Sequence, residues 1–220
     1  ENFQACVEAG ISGKQLENEL DAQGYTSGHD PDSLEFSTLG GWIATNASGM
    51  KKNRYGNIED IVLEATLVTP TGEVETKHAT PRNSVGVQPR SLLFGSEGNF
   101  GIITKAIIKI HRKPEVRQYG SLVFPQFENG VDFLKALRQT GQIPASIRLV
   151  NNNEFRFGQA LKPAAEGLKK LEQSIQRFFL FKVKGFDLKK IVACTIVMEG
   201  TVDEVRQQAK TIFSLAKKYG

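Results

Sequence analysis

The stretch DSLEFSTLGGWIATNASG, from Asp32 to Gly49, combines hydroxyls, glycines and other small residues in a way that suits neither a packed core nor a charged surface loop. After Phe36 its only aromatic side chain is that of Trp42. Glycine lets the backbone approach a ligand closely, and successive N–H groups can form a nest for an anion. The stretch therefore predicts a segment that lies against a bound molecule.

A second glycine loop, GSEGNFG, runs from Gly95 to Gly101. Neither loop matches the dinucleotide fingerprint G-x-G-x-x-G or the phosphate loop that ends in Lys and Ser or Thr. Each loop alone is also compatible with a tight turn between crowded strands. Two such loops in one region favour a large ligand, because a dinucleotide needs contacts from several segments.

The composition is that of a globular protein, with 40% hydrophobic and 24% charged residues among 220 and a net charge of +4. This mild basic excess is compatible with a phosphorylated substrate. No apolar run approaches the roughly 20 residues of a membrane-spanning helix. Cys6 and Cys194 are expected to be buried free thiols, since a disulfide framework needs more cysteines in a shorter chain. The three histidines lack metal-ligand spacing, so no metal site is expected.

Local patterns predict an α+β fold in two units, residues 1–115 and residues 116–220, that meet in the charged segment HRKPEVRQ. In the first unit, ACVEAG predicts a strand, and SGKQLENELDAQG predicts a helix in which Ser12 and Gln15 have the spacing of a capping box. IEDIVLEATLVTPTGEVET predicts a β-hairpin that turns at Pro70–Gly72. SLLFGSEGNFG predicts a short helix that breaks into the glycine loop, and IITKAIIKIHRKP predicts a strand.

In the second unit, strands alternate with helices, which favours a sheet covered by helices on one side. Strands are predicted in YGSLVFPQF, ASIRLVN and IVACTIVMEG, and helices in ENGVDFLKALRQTG, PAAEGLKKLEQSIQRFFLF and TVDEVRQQAKTIFSLAKKYG. Thr201 and Glu204 have capping-box spacing at the start of the last helix. The basic amphipathic segment Leu168–Phe181 is compatible with packing on the sheet and with an element that admits a lipid.

The segments HDPDSLEFSTLGGWIATNASGMKKNRYGNIEDIV and LLFGSEGNFGIITKAIIKI together resemble the flavin-binding domain of the vanillyl-alcohol-oxidase-type FAD enzymes. The resemblance covers essentially all of residues 1–115. It implies the later part of a two-subdomain, PCMH-type FAD-binding domain, followed by the early part of an α+β cap domain for the substrate. It also implies that the cofactor is FAD, held without a covalent bond.

The same resemblance implies flavin contacts in three stretches. The first comprises Asp32, Ser33, Leu34, Glu35, Phe36, Ser37 and Thr38, the second Thr45, Asn46, Ala47 and Ser48, and the third Glu97, Gly98, Asn99, Phe100, Gly101, Ile102 and Ile103. Some relatives attach flavin to histidine, but His29 is interpreted as structural or solvent-facing. The basic run Lys51, Lys52 and Arg54 is interpreted as a solvated loop.

In the second unit, PASIRLVNNNEFRFGQALKP resembles the branch of this family that forms ether lipids. The resemblance implies exchange of the acyl group of acyl-dihydroxyacetone phosphate for a long-chain fatty alcohol, with FAD but without net oxidation. It also implies that the enzyme is peroxisomal and acts at a membrane surface. A homodimer is compatible with the resemblance, and no nucleic-acid partner is expected. The resemblance further implies that Arg148 faces the flavin or the substrate phosphate; an arginine suits a phosphate because its guanidinium donates in pairs. Without the resemblance, the residues alone favour a surface arginine.

Two other functions remain open from the sequence. The first is an FAD-dependent 2-hydroxy acid dehydrogenase of the D-lactate type, which would share the first unit. D-lactate would bleach the flavin of such a dehydrogenase but not that of an ether-lipid enzyme. The second alternative is a non-catalytic interaction fragment, because the chain is expected to lack the family's upstream pyrophosphate loop and its downstream catalytic Tyr and His segments. The isolated chain is therefore expected to be inactive and to expose sheet edges.

Overall fold

A computed structural model describes residues 2–75, 84, 86, 88–160, 187 and 189–220. The chain divides into two compact units, Glu1–Pro114 and Glu115–Gly220. Each unit has its own hydrophobic core, and each combines strands with helices. The predicted α+β class is confirmed. The assignment of residues 1–115 to a flavin domain and residues 116–220 to a cap domain stays a prediction.

The first unit is built on a four-stranded antiparallel sheet. The strands of the unit, which include a separate two-stranded pair, are β1 (Gln4–Glu8), β2 (Tyr25–Thr26), β3 (Val62–Thr69), β4 (Gly72–Val74), β5 (Ile102–Lys109) and β6 (His111–Arg112). Its helices are α1 (Gly13–Ala22), α2 (Leu39–Ala44), α3 (Lys52–Tyr55) and α4 (Ile58–Ile61), and a 3-10 turn covers Pro89–Leu92. The sheet order is β1-β5-β3-β4, and β2 pairs with β6 beside it.

Helix α1 forms where its sequence pattern predicts a helix. The Ser12 side chain caps it by accepting a hydrogen bond from the Gln15 N–H at 3.3 Å. Leu16 and Leu20 share a face, and both are buried in the core. The reciprocal half of the predicted capping box is replaced, because the Gln15 side chain donates to Glu19 at 2.8 Å. The cap therefore rests on the serine hydroxyl.

The predicted hairpin is confirmed in β3 and β4, which pair from Leu67↔Val74 to Thr69↔Gly72. Its first four residues, however, form helix α4 and not strand. Asn57 accounts for the difference, because its backbone N–H donates to the Asp60 carboxylate at 3.0 Å in a capping box. An N-cap and an acidic first turn favour a helix over an extended start.

The second unit is a three-stranded antiparallel sheet with two helices on one face. Its elements are β7 (Val116–Phe124), α5 (Phe127–Gln139), β8 (Ser146–Val150), α6 (Asn152–Ala160), β9 (Val192–Gly200) and α7 (Val202–Ala216). The order β7-β9-β8 places β9 in the middle. The predicted Thr201–Glu204 capping box is present at the start of α7. The helix predicted in PAAEGLKKLEQSIQRFFLF lies outside the described residues.

Apolar side chains on alternate residues of β9 pack against α5 and α7. Cys194, Ile196 and Met198 form this core with Phe133 of α5 and Ile212 of α7. Alternation along a strand places the intervening residues on the opposite face. The prediction of a sheet with helices on one side is thus confirmed for α5 and α7.

The two cysteines lie in different environments. Cys194 is buried on β9, and burial raises the pKa of its thiol to about 12. Cys6 is exposed on β1, which is an edge strand of its sheet. The prediction that both thiols are buried is therefore wrong for Cys6. Its apolar neighbours in sequence suggested burial, but successive side chains of a strand point to opposite faces.

Candidate flavin site

A cavity of about 340 Å³ lies in the first unit between the start of α2 and the second glycine loop. Glycine and alanine dominate its wall, so that backbone borders much of the space. The lining residues are Ala9, Gly10, Thr38, Gly40, Gly41, Ala44, Ser96, Gly98, Gly101, Ile102 and Ile103. A cavity whose wall is formed largely by glycine and alanine suits a ligand that must approach the backbone closely.

Helix α2 forms within the small-residue stretch, where the sequence predicted a loop. Thr38 caps it, and its hydroxyl accepts a hydrogen bond from the Gly41 N–H at 3.2 Å. Trp42 anchors the helix in the core, and its indole N–H donates to Ser37 Oγ at 2.7 Å. The threonine cap and one large apolar anchor are enough to offset the two helix-disfavouring glycines.

The backbone amides of α2 are already engaged within the protein. The Gly40 N–H donates to the Ala9 carbonyl oxygen at 2.8 Å, and the Trp42 N–H donates to the Thr38 carbonyl oxygen at 2.9 Å. The expected nest of amide donors is therefore not available at Gly40 and Gly41. Gly40 and Gly41 have a different use here, because at these two positions the cavity wall has no side chain.

The second glycine loop docks onto the end of α2. The Glu97 N–H donates to the Ala44 carbonyl oxygen at 3.0 Å, and the Asn99 side chain donates to the Ser96 carbonyl oxygen at 2.8 Å. Glu97 has a φ of 47° and Asn46 a φ of 51°, both in the left-handed region that non-glycine residues seldom adopt. Strained residues of this kind cluster at functional sites.

Part of the predicted contact set lines the cavity, namely Thr38, Gly98, Gly101, Ile102 and Ile103. The remaining predicted residues lie nearby in sequence but do not line it: Asp32, Ser33, Leu34, Glu35, Phe36, Ser37, Thr45, Asn46, Ala47, Ser48, Glu97, Asn99 and Phe100. Leu34 and Ala47 pack against the hydrophobic core. Glu35 forms an ion pair with Lys14 at 3.0 Å. Phe36 is 89% exposed.

Six lining residues were absent from the predicted set: Ala9, Gly10, Gly40, Gly41, Ala44 and Ser96. Gly40 and Gly41 belong to the quoted motif, so composition had pointed to them. Ala9 and Gly10 carry no local signal, and they reach the cavity because β1 pairs with β5 along its whole length.

Lys51 and His29, which flank the small-residue stretch in the sequence, are both buried polar residues. Lys51 is only 5% exposed, and its ammonium lies 3.8 Å from the Asp30 carboxylate. The interpretation of Lys51 as solvated is therefore wrong, while Lys52 and Arg54 are exposed as expected. The buried position of Lys51 is stabilised by its ion pair with Asp30 and by the Tyr55 ring, whose centre lies 5.5 Å from the ammonium.

His29 is 2% exposed and contacts the Trp42 ring edge-on, with 4.8 Å between ring centres. Among the described residues, neither ring nitrogen of His29 has a hydrogen-bond partner. Burial, and secondarily the charge of Lys51, lower the pKa of His29 from 6.5 to about 4. The ring is thus neutral at physiological pH and part of the packing.

Arg148 lies on β8 in the second unit. Its side chain is exposed, and its neighbours Ile147 and Leu149 pack into the core on the other face of the sheet. Its partner across the strands is Thr195 of β9.

Within the described ranges, no group of three His, Cys, Asp or Glu residues could hold a metal ion, and no helix is long and apolar enough to span a membrane.

Comparison with known proteins gives matches to two family models. Residues 1–77 match the family described as FAD binding domain. Residues 113–220 match the family described as the C-terminal domain of FAD linked oxidases. The first match lies within the first compact unit, and the second match covers the second unit.

The chain is similar to several proteins along its whole length. Alkyldihydroxyacetonephosphate synthase of Caenorhabditis elegans is 44% identical over 220 residues, which cover 100% of this chain and 37% of the nematode protein. Mitochondrial D-lactate dehydrogenase [cytochrome] 1 of Saccharomyces cerevisiae is 28% identical over 205 residues, which cover 93% of this chain and 33% of the yeast protein. A solved structure of alkyldihydroxyacetonephosphate synthase is similar with a TM-score of 0.86 and 36% identity, covering 100% of this chain and 39% of its own. The chain thus spans between 33% and 39% of the length of these relatives.

Proposed function

The chain belongs to the family of FAD-linked flavoenzymes, and on that premise we propose that the protein forms ether lipids as an alkyldihydroxyacetonephosphate synthase. The reaction is the exchange of the acyl group of acyl-dihydroxyacetone phosphate for a long-chain fatty alcohol. The observation that carries the proposal is the extent of the similarity, which is 44% identity over all 220 residues and so includes the second unit. Because substrate recognition varies more than cofactor binding, similarity in that unit weighs most.

We assign FAD to the cavity of the first unit. The fit rests on the cavity wall, where the Cβ of a residue replacing Gly98 would project into open space. Thr38 and Ser96 supply hydroxyls at the same wall, and Ile102 and Ile103 supply apolar surface. FAD would supply the chemistry of the exchange, while these residues hold and orient it. The buried position of His29 among packed residues supports non-covalent binding.

Substitution of Gly98 with alanine is expected to reduce the FAD content of the full-length protein at least several-fold. Gly98 has a φ of 83°, so alanine also costs about 1 kcal/mol of backbone strain. Gly95 offers a matched control, because its φ is 76° and a Cβ there likewise meets open space, yet it does not line the cavity. Flavin released into the supernatant by acid precipitation measures occupancy.

The two alanine variants should therefore show similar thermal stability but different flavin content. Equal flavin content in Gly98→Ala and Gly95→Ala would contradict the assignment of the cavity. Flavin that stays with the precipitated protein would contradict non-covalent binding.

Arg148 is proposed to bind the phosphate of the substrate. In the full-length enzyme, Arg148→Lys is expected to lower kcat/KM about tenfold, because lysine keeps the charge but loses the planar pair of donors. Arg138→Lys is the matched control, since Arg138 is an exposed arginine at the end of α5. Thermal unfolding is measured for both variants. Full activity of Arg148→Lys would show that paired donation is the wrong account.

A second function is favoured by the similarity to yeast D-lactate dehydrogenase, which extends over most of the chain. One pair of assays separates the two functions in the flavin-loaded, full-length protein. Ether-bond formation from acyl-dihydroxyacetone phosphate and a long-chain alcohol supports the synthase. Bleaching of the flavin by D-lactate supports the dehydrogenase.

The proposed substrates also suggest where the protein acts. Both carry long alkyl chains that partition into membranes, so contact with a membrane surface is part of the proposal. A peroxisomal location and a homodimer stay predictions from the resemblance.

A further inference from the structure

We infer that Ser121, Thr195 and Arg148 form a row that binds the substrate phosphate on the face of the second sheet opposite α5 and α7. The inference rests on the proposed function, which supplies the substrate class. It assigns a binding role to two hydroxyl residues and gives Arg148 partners for its task.

The row follows from the register of the three strands. Thr195 on the middle strand β9 pairs with Ser121 of β7 on one side and with Arg148 of β8 on the other. Directly opposed residues of antiparallel strands point to the same face, with Cβ atoms about 5 Å apart. All three side chains are exposed. Two hydroxyls and a guanidinium therefore form a straight line of hydrogen-bond donors across the sheet.

Of the two rows that flank the donor row on this face, the one formed by Tyr119, Val197 and Ser146 includes polar groups, and the other is apolar. Val123, Ala193 and Val150 are aligned in the same register and lie on the same face. Val123 and Val150 are half-buried, and Ala193 is buried. Two strand residues separate adjacent rows by about 7 Å. In acyl-dihydroxyacetone phosphate, three carbon atoms separate the phosphate from the acyl group. A phosphate bound at the donor row would therefore place the start of the acyl chain beside the apolar row.

The charges on this face favour an anion at the donor row. Glu199 lies on the same face, two rows from Thr195, but it is fully buried and forms an ion pair with Arg117. Its negative charge is therefore balanced locally. Arg148 supplies positive charge within the row itself, and a bond from a hydroxyl or guanidinium to an ionised phosphate is stronger than one between neutral groups. A row of this polarity, bordered on one side by aliphatic side chains, suits a lipid phosphate better than a small 2-hydroxy acid.

Removal of either hydroxyl tests the row in the full-length enzyme. Thr195→Val and Ser121→Ala are each expected to raise the KM for acyl-dihydroxyacetone phosphate about tenfold, the effect of one lost hydrogen bond to a charged group. The KM for the fatty alcohol, the flavin content and the melting temperature should stay unchanged. The inhibition constant of glycerol 3-phosphate, used as a competing phosphate, should rise in parallel.

Two further variants serve as controls. Thr195→Ser keeps the hydroxyl and is expected to give a clearly lower KM for acyl-dihydroxyacetone phosphate than Thr195→Val. Ser214→Ala removes an exposed hydroxyl from α7, on the other side of the sheet, and should change nothing. If Thr195→Val does not fold, the exposed Ser121→Ala decides alone.

An active wild-type enzyme whose KM for the phosphorylated substrate is unchanged in the folded hydroxyl variants would overturn the row and leave the proposed function intact. A flavin-loaded wild-type protein that catalyses no exchange would overturn the proposed function, and the row with it. A rise in KM for both substrates alike would also overturn the row, because it would indicate a general change of the fold.

Discussion

Substitution of Lys51 with alanine is expected to lower the free energy of unfolding by about 3 kcal/mol, the low end of the cost of breaking a buried ion pair. The low end applies because Asp30 is about a third exposed and keeps part of its hydration after the change, while Lys51 itself is nearly inaccessible. The loss also includes the packing of the lysine stem and the contact of its ammonium with the Tyr55 ring. Denaturant unfolding of the full-length protein near neutral pH measures the effect.

The next residue provides the control. Lys52 is exposed, so Lys52→Ala is expected to change the free energy of unfolding by less than about 0.5 kcal/mol. Lys51→Met separates packing from charge, because methionine keeps much of the apolar stem without the ammonium. Equal stability of the Lys51 and Lys52 alanine variants would show that Lys51 is solvated after all.

The error on Lys51 illustrates what local sequence reasoning misses. A basic run followed by Asn and Arg has the composition of a solvated loop, and Lys52 and Arg54 behave accordingly. Lys51 differs because Asp30 and Tyr55 approach it in the folded chain. Tertiary contacts of this kind leave no trace in the spacing of the residues.

The two small-residue segments stood out in the sequence because their composition has a direct physical meaning. Glycine-rich segments border a cavity, and the cavity wall includes glycines from both loops. Helix α2 was missed because two glycines have low helix propensity, whereas a Thr38 cap and a buried Trp42 override that propensity. Composition therefore pointed to the segments that border the cavity, but which of their residues line it depends on how the backbone folds around it.

The donor row in the second unit shows the same limit for strands. Alternation along ASIRLVN predicts that Arg148 points away from Ile147 and Leu149, as it does. The identity of its neighbours requires the register against β9 and the strand order β7-β9-β8. A shift of one residue would place Cys194 or Ile196 beside Arg148, on the wrong face. Local sequence patterns do not encode that pairing.

The stability of the first unit is expected to fall as the pH decreases below about 6.5, because His29 is buried in its neutral form. Its pKa in the folded protein is about 4, compared with 6.5 in an unconstrained chain. Above pH 6.5 both states hold the ring neutral, and stability is highest. Between these two pKa values the unfolded chain binds a proton that the folded protein rejects, so stability is lost as pH falls. Below about pH 4 both states are protonated, and this loss is complete.

Between about pH 7.5 and pH 5, His29 alone is expected to cost about 2 kcal/mol of the free energy of unfolding. The measurement is denaturant unfolding of the full-length protein at both pH values, for the wild type and for His29→Phe, which keeps an aromatic ring against Trp42. The difference between the two pH dependences isolates His29 from other titrating groups. His111 provides a comparison, because burial lowers its pKa too, but its ring is only half-buried. His111→Gln should therefore flatten the pH dependence less than His29→Phe. An identical pH dependence in the wild type and His29→Phe would show that the His29 ring is hydrated and not part of the packed interior.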